Sequence, residues 1–259
     1  MGAVSQEIAP VKKEIVIERR LRERSLLLYE GRYQDRKVLL AQTGMGESHA
    51  AHAFRLIADR YPLDLVISVG FAGGTASGSA TGDLILCDKV FRLIPDRGGQ
   101  PAVPTLLSPP IQLDRKLIAQ ASELLKAAGV PFQRGATLTV EKLISQARIK
   151  EELGKRYPVL MVEMETAILA ETAAVLHIPL LVLRAILDPV SEDLPDLGKI
   201  VDLTGQITLQ RLIRLFFYPR ILLKLLALRR EVGKAQATLQ RAIKLLLIQP
   251  PITVSQETI

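Results

Sequence analysis

Leu180-Leu181-Val182-Leu183-Arg184-Ala185-Ile186-Leu187, closed by Asp188 and Pro189, is the stretch whose reading decides the fold. A near-continuous apolar run of this length, ended by a proline, reads as a β-strand buried on both faces. Strands of that kind belong to sheets covered by helices, and ligands bind outside their carboxyl ends. Asp188 therefore stands where a functional site forms. Upstream of it, from Leu26, short β-rich runs alternate with helix-like stretches separated by glycine or proline, the pattern of an α/β domain. Strands are expected at 26–31, 37–43, 65–70, 83–90, 135–140 and 180–187. Helices are expected at 47–60, 114–128, 142–155 and 165–176. No repeat of fixed period is present, which speaks against a solenoid.

The composition agrees with a soluble globular protein. Of 259 residues, 48% are hydrophobic and 24% charged, enough for one large domain with a substantial core. Cys87 is the single cysteine, which excludes an internal disulfide and a cysteine-rich metal site and fits a reducing compartment. The N-terminus lacks a basic region followed by an apolar run, so no secretory signal is expected, and no apolar stretch approaches the ~20 residues that span a bilayer. The expected location is the cytoplasm. The net charge of +7 is concentrated: between Gln206 and Leu246 nine lysines and arginines face Glu231 alone, so the rest of the chain is close to neutral.

Three features carry candidate chemistry. Thr43-Gly44-Met45-Gly46 closes a strand and opens a helix, where backbone N–H groups can meet an anion or polar ligand; a plain tight turn reads equally well, since the P-loop lysine and hydroxyl are missing. Val69-Gly70-Phe71-Ala72-Gly73-Gly74, followed by Gly82-Asp83, combines a strand end with small residues that admit a ligand to the backbone, or is a simple strand–helix connection. Val162-Glu163-Met164-Glu165 opens an apolar helix, and Arg184 to Asp188 ends the buried strand. Those carboxylates serve a helix dipole and a turn if taken singly. Taken together they favour a site.

In this order, these motifs resemble the purine nucleoside phosphorylase and methylthioadenosine/S-adenosylhomocysteine nucleosidase superfamily over roughly residues 2–190. The resemblance implies an α/β, three-layer fold with a mixed, partly barrel-like central sheet, assembled as a homo-oligomer. It further implies cleavage of the N-glycosidic bond of a purine nucleoside, with no metal or redox cofactor. Met164 and Glu165 match residues that line the ribose, Glu165 accepting hydrogen bonds from its hydroxyls. Asp188 matches the acid that protonates N7 of the purine, and Arg184 the strand arginine near the attacking water. Gly2 to Ile8 resembles an N-terminal motif whose last glutamate, here Glu7, activates that water. Glu163, Phe71, Ala72, Gly73 and Gly44 complete the expected substrate-binding set. The chemistry is consistent: an oxocarbenium-like transition state calls for carboxylates near the ribose and an acid at the base, and Asp188 needs a raised pKa to carry its proton.

Departures from the family pattern shape the reading. The family's first strand precedes the Gly-Ala motif, yet Met1 directly precedes Gly2; that strand is either absent or begins upstream of Met1. Phosphorolytic members hold phosphate with arginine and serine at the glycine-rich strand end, where this chain has Ser68 and Phe71. Water is thus preferred over phosphate, although Arg32, Arg36 or a partner subunit's arginine leaves phosphorolysis open. Leu187 replaces a frequent serine, which loosens the fit to a methylthioadenosine pocket. His49 and His52 lie three apart on an expected helix without a clear further ligand and read as surface or packing residues, as does His177.

The chain divides into a catalytic domain, 1–205, and a basic helical extension, 206–259. Residues 189–198 read as a surface loop, and Pro219 as a break between two helices. Leucine, isoleucine and phenylalanine interleaved with arginine and lysine over 209–246 suit a helix on the inner face of an anionic membrane, or a helix packed on the sheet with a basic solvated face. Tyr218-Pro219 and the leucine/arginine-rich helix after it resemble the tail of hopanoid-associated phosphorylase-like proteins, which release adenine from an adenosyl-hopane precursor. A reading of another class, a non-catalytic nucleoside-binding or membrane-associated scaffold, is disfavoured by Glu165 and Asp188 occurring together. Nucleic acid is not an expected partner: the chain lacks tryptophan, and its tail is apolar.

Overall fold

The computed structural model describes residues 1–94, 106–190 and 219–250, with backbone alone at 106 and 219–228. The decisive stretch forms a strand, β10 (Leu180–Asp188), buried along nearly its whole length. It pairs in parallel with β4 (Val66–Gly74) on one side and antiparallel with β5 (Leu84–Ile94) on the other. Beyond β5, β8 (Gln133–Thr139) runs parallel to it, and β9 (Met161–Glu163) links β8 back to β4. The ring β10-β4-β9-β8-β5 is closed, so the central sheet is the mixed barrel expected, with short strands β6 (Leu106–Leu107) and β7 (Ile111–Gln112) added at β5. Closure removes the open edges of the ring strands.

Helices cover the barrel. These are α2 (Glu47–Arg60), α3 (Arg115–Ala127), α4 (Ala147–Arg156) and α5 (Thr166–Leu176). Asp114 starts α3 by accepting the N–H groups of Lys116 and Leu117, which supplies two of the donors a helix start leaves open. A second sheet, β1 (Val16–Glu23), β2 (Leu26–Tyr33) and β3 (Arg36–Gln42), is antiparallel and stands beside the barrel. Residues 1–3 join the two sheets. The Gly2 N–H donates to Ala41 O at 3.0 Å, the Thr43 N–H to Gly2 O at 2.9 Å and the Val69 N–H to Met1 O at 2.8 Å. The position between β3 and β4 is thus occupied by Met1–Ala3.

Several elements differ from the sequence expectation, the two-residue strands β6 and β7 among them. β1 lies outside the expected strands because its residues are charged and mostly exposed; backbone pairing with β2 holds it. The helix α1 (Ser5–Lys12) was not expected, and β9 is too short for a periodic pattern. α4 begins at Ala147 rather than at residue 142, which turns Lys150 and Leu153 inward.

The described part of the C-terminal extension is α6 (Pro219–Ile248), with Pro219 at its first position, where a missing N–H costs nothing. The residues ahead of Pro219, where a preceding helix was expected, and the loop 191–198 lie outside the described residues. Ala235, Leu239, Ala242, Ile243 and Leu246 are buried in the same core as β4, β5 and β10. α6 also holds α1: Pro10 has no N–H to give the Gln6 carbonyl, and the Gln236 side chain donates to that oxygen at 2.6 Å instead. Gln240 donates to Glu14 at 2.9 Å nearby. Among the described residues no helix is long and apolar enough to cross a membrane.

Candidate active site

α1 carries Glu7 to the barrel. Near the start of the helix, Glu7 turns back over its own N-terminus, and Oε2 accepts the N–H groups of Ala3 at 2.6 Å and Val4 at 3.1 Å. Its Oε1 accepts the Phe71 N–H of β4 at 2.8 Å. Burial pushes the Glu7 carboxyl above the usual carboxylate range, against the opposite pull of those N–H groups and of Arg184.

Arg184 lies in the middle of β10 and is only 3% exposed. Nη1 donates to Ser68 Oγ and Leu183 O, both at 3.1 Å, while Nη2 donates to Thr166 Oγ1 at 2.8 Å and Glu163 Oε2 at 3.2 Å. Glu163, at the end of β9, accepts the Thr139 hydroxyl at 2.6 Å on Oε1. Its Oε2 accepts the N–H groups of Glu165 and Thr166 and the Thr166 hydroxyl at 3.0, 2.8 and 2.6 Å. Both oxygens of Glu163 are therefore engaged by the protein, and its place is to orient Arg184 and the start of α5.

Glu165 sits at that start. Its Oε1 accepts the Gly46 N–H at the beginning of α2, at 2.8 Å, so the Thr43–Gly46 turn delivers its N–H to a side chain. Burial first, then the charges of Glu163 and Glu7, pushes the Glu165 carboxyl up to about 8. Glu7, Thr43, Ser68, Gly70, Glu165 and Arg184 line a cavity of about 10 Å³, near the least that holds one water. A Cβ at Gly70 would lie 2.8 Å from Glu7 Oε1 and 3.4 Å from Arg184 Nε, so the glycine lets both side chains approach β4.

Asp188 ends the same strand, on the order of 13 Å of backbone beyond Arg184. The β10–β4 register slips between Ile186 and Asp188, a bulge that re-aims the aspartate. Asp188 is 5% exposed, and the fully buried Lys150 of α4 donates to its Oδ2 at 2.6 Å. Lys150 also donates to Pro189 O at 2.8 Å. A Cβ at Gly73 would lie 3.1 Å from Asp188 Oδ2 and 3.2 Å from Lys150 Cδ, which makes Gly73 the gap through which the pair meets.

The structure thus gathers Glu7, Glu163, Glu165 and Arg184 into one cluster, with Asp188 at the far end of β10. Met164, between the two glutamates in sequence, is half-buried and packs against the apolar cluster that includes Phe91 and Leu138. Phe71 contributes its N–H to Glu7 while its ring packs on the core, Ala72 is buried, and the Gly44 N–H donates to Ala3 O at 2.9 Å. His49 Nδ1 lies 2.9 Å from Met45 O. Sequence reading missed Thr139, Thr166 and Lys150. The one available signal was that Lys150 and Leu153 are three apart, on the single inward face of α4.

Known proteins share this fold. The family model described as "Phosphorylase superfamily" matches residues 1–215. A 5′-methylthioadenosine/S-adenosylhomocysteine nucleosidase of Haemophilus influenzae (strain PittEE) is 29% identical over 196 residues, 73% of this chain and 84% of the relative. That of Oceanobacillus iheyensis is 26% identical over the same shares. Among solved structures, the Neisseria meningitidis 5′-methylthioadenosine/S-adenosylhomocysteine nucleosidase in complex with methylthio-immucillin-A superposes with a TM-score of 0.73 at 21% identity, covering 95% of this chain and 96% of that one. The futalosine hydrolase of Helicobacter pylori gives a TM-score of 0.73 at 17% identity, covering 95% of each chain.

Proposed function

This chain belongs to the phosphorylase superfamily, and from that premise we propose that it cleaves the N-glycosidic bond of a purine nucleoside with water as the nucleophile. The observation that carries the reading is the engagement of Arg184, whose Nη donors are taken by Ser68, Leu183, Thr166 and Glu163; with Phe71 offering no cation for a phosphate, this favours hydrolysis over phosphorolysis. The relatives named above as nucleosidases and as a hydrolase support the same choice.

In this reading Glu7 takes a proton from the water as its oxygen closes on C1′ of the ribose. Glu165 holds the ribose hydroxyls, with Met164 along the sugar face. The C1′–N9 bond breaks with its electron pair passing to the base, and a proton delivered through Asp188 neutralises the purine at N7. Acid–base assistance of this kind is worth ~10²–10⁴-fold in rate. The specific substrate we favour is an adenosylated lipid such as adenosyl-hopane, on the strength of Tyr218-Pro219 and the leucine- and arginine-rich sequence around it. Contact with the inner face of a membrane would then fall to residues 209–228, because the apolar positions of 235–246 are turned to the core. We propose a cytoplasmic homo-oligomer.

The test is adenine release, followed by chromatography, from adenosine, methylthioadenosine, S-adenosylhomocysteine and an adenosylated lipid, each with and without phosphate. Release without phosphate supports hydrolysis. Release only with phosphate makes the chain a phosphorylase, and no release from any substrate favours the non-catalytic scaffold.

A further inference from the structure

A general acid has to hold a proton until the base departs, and the surroundings of Asp188 set a problem in that respect. The Lys150 ammonium 2.6 Å from Oδ2 stabilises negative charge on the carboxylate. An ammonium in that position carries protons of its own. Lys150 is also an expensive residue for this position. It is 0% exposed, lysine is among the side chains least often buried completely, and an ammonium withdrawn from water is costly unless paired and hydrogen-bonded. A methionine would fill the same space without that cost.

Its neighbours fix its place. The α4 start at Ala147 turns Lys150 inward, and Gly154 packs directly against the Thr75 carbonyl, fixing α4 on the end of β4. Gly73 leaves open the space in which Lys150 and Asp188 meet. The Asp188 and Pro189 carbonyls, at 3.5 and 2.8 Å, hold the ammonium beside Oδ2.

We propose that Lys150 and Asp188 work as a single proton-donating unit, the ammonium supplying the proton that the carboxylate passes to the leaving purine. As the C1′–N9 bond breaks, its electron pair goes to the base. The carboxyl group of Asp188 gives a proton to N7. The Nζ–H bond of Lys150 breaks to supply that carboxyl group, its electron pair remaining on nitrogen as a neutral amine. Glu7 receives the proton of the attacking water, and its loss to solvent accompanies reprotonation of the amine, so each cycle consumes one water and no other reagent. Lys150 acts through Asp188 and makes no contact of its own with the base.

The inference rests on the role given to Asp188 above, and the experiment separates the two. Adenine release is measured for the intact protein and for Lys150→Met, Asp188→Asn and the double variant, with thermal unfolding recorded for each. Groups that act as one unit give losses that do not multiply. The expected result is that each single variant loses about 10²-fold or more and that the double variant loses no more than the worse single one. Lys150→Arg keeps the positive charge facing Asp188 but does not release a proton, so it is expected to stay as slow as Lys150→Met. Should Lys150→Met fail to fold, the arginine variant and the double variant, which removes both charges together, still decide the matter. Losses that multiply in the double variant, or wild-type rates in Lys150→Met or Lys150→Arg, overturn the proposal. An inactive Asp188→Asn beside a fully active Lys150→Met overturns this inference alone, whereas a wild-type protein that releases no adenine overturns the functional reading beneath it.

Discussion

Replacing Arg184 with methionine would leave Glu163 buried with its ion-pair partner gone, and removing one member of a buried pair costs ~3–5 kcal/mol. Denaturant unfolding of Arg184→Met should show a loss of that size. Glu7 and Glu165 make predictions about pH. Because burial holds the Glu7 carboxyl above its ordinary 4.5, a base role means that activity falls as pH drops through that raised value, and the acid limb of kcat/KM lies above the usual carboxylate range. Glu7→Gln should remove ~10²–10⁴-fold of the rate. Glu165, pushed from 4.5 to about 8, binds its proton more tightly folded than unfolded. Its contribution to stability is complete below pH ~4.5 and is lost as pH rises through about 8. In the ligand-free protein the fall of the unfolding midpoint between pH 5 and 8 should therefore shrink in Glu165→Gln. Glu163, Glu165 and Asp188 stood out in the sequence as acids at the ends of apolar runs, and Arg184 as a charge inside one, while their roles came from the family resemblance. Lys150 was not, since a lysine in a charged helix such as Ala147–Arg156 reads as solvated until packing turns it inward.

Among the elements, α6 and α1 are coupled in a way no local pattern records. Pro10 leaves the Gln6 carbonyl without its helical partner, and Gln236, 230 residues away, supplies the missing donor. Gln236→Ala should lower stability by about 0.5–1.5 kcal/mol, the net worth of one part-buried hydrogen bond, and should slow catalysis through Glu7, which α1 carries. Equilibrium unfolding and kcat measured on the same variant check both effects. The strands that proved easiest to read, such as β10, are buried on both faces and announce themselves by composition. β1 could not be read because an exposed, charged strand exists by virtue of its partner's backbone, and β9 is too short to carry a period.

For the whole molecule, an α/β fold followed from the alternation of elements, and the barrel from resemblance. Its closure did not follow from pattern, because the β5–β10 pairing joins residues nearly a hundred positions apart, Leu86 with Leu183. That closure places the carboxyl end of β10 beside β4, and with it Asp188 within reach of α4 while Arg184 faces Glu7. The basic excess of the C-terminal sequence leaves the barrel itself close to neutral, as suits a site whose charges are paired internally. Attack by water on the sugar is decided by incubating the wild-type protein with a purine nucleoside it cleaves in phosphate-free buffer made with ¹⁸O-water, then weighing the released sugar. Free adenine and a sugar carrying one ¹⁸O at C1′ are expected. Absence of cleavage until phosphate is added, with a sugar phosphate as the product, would contradict attack by water.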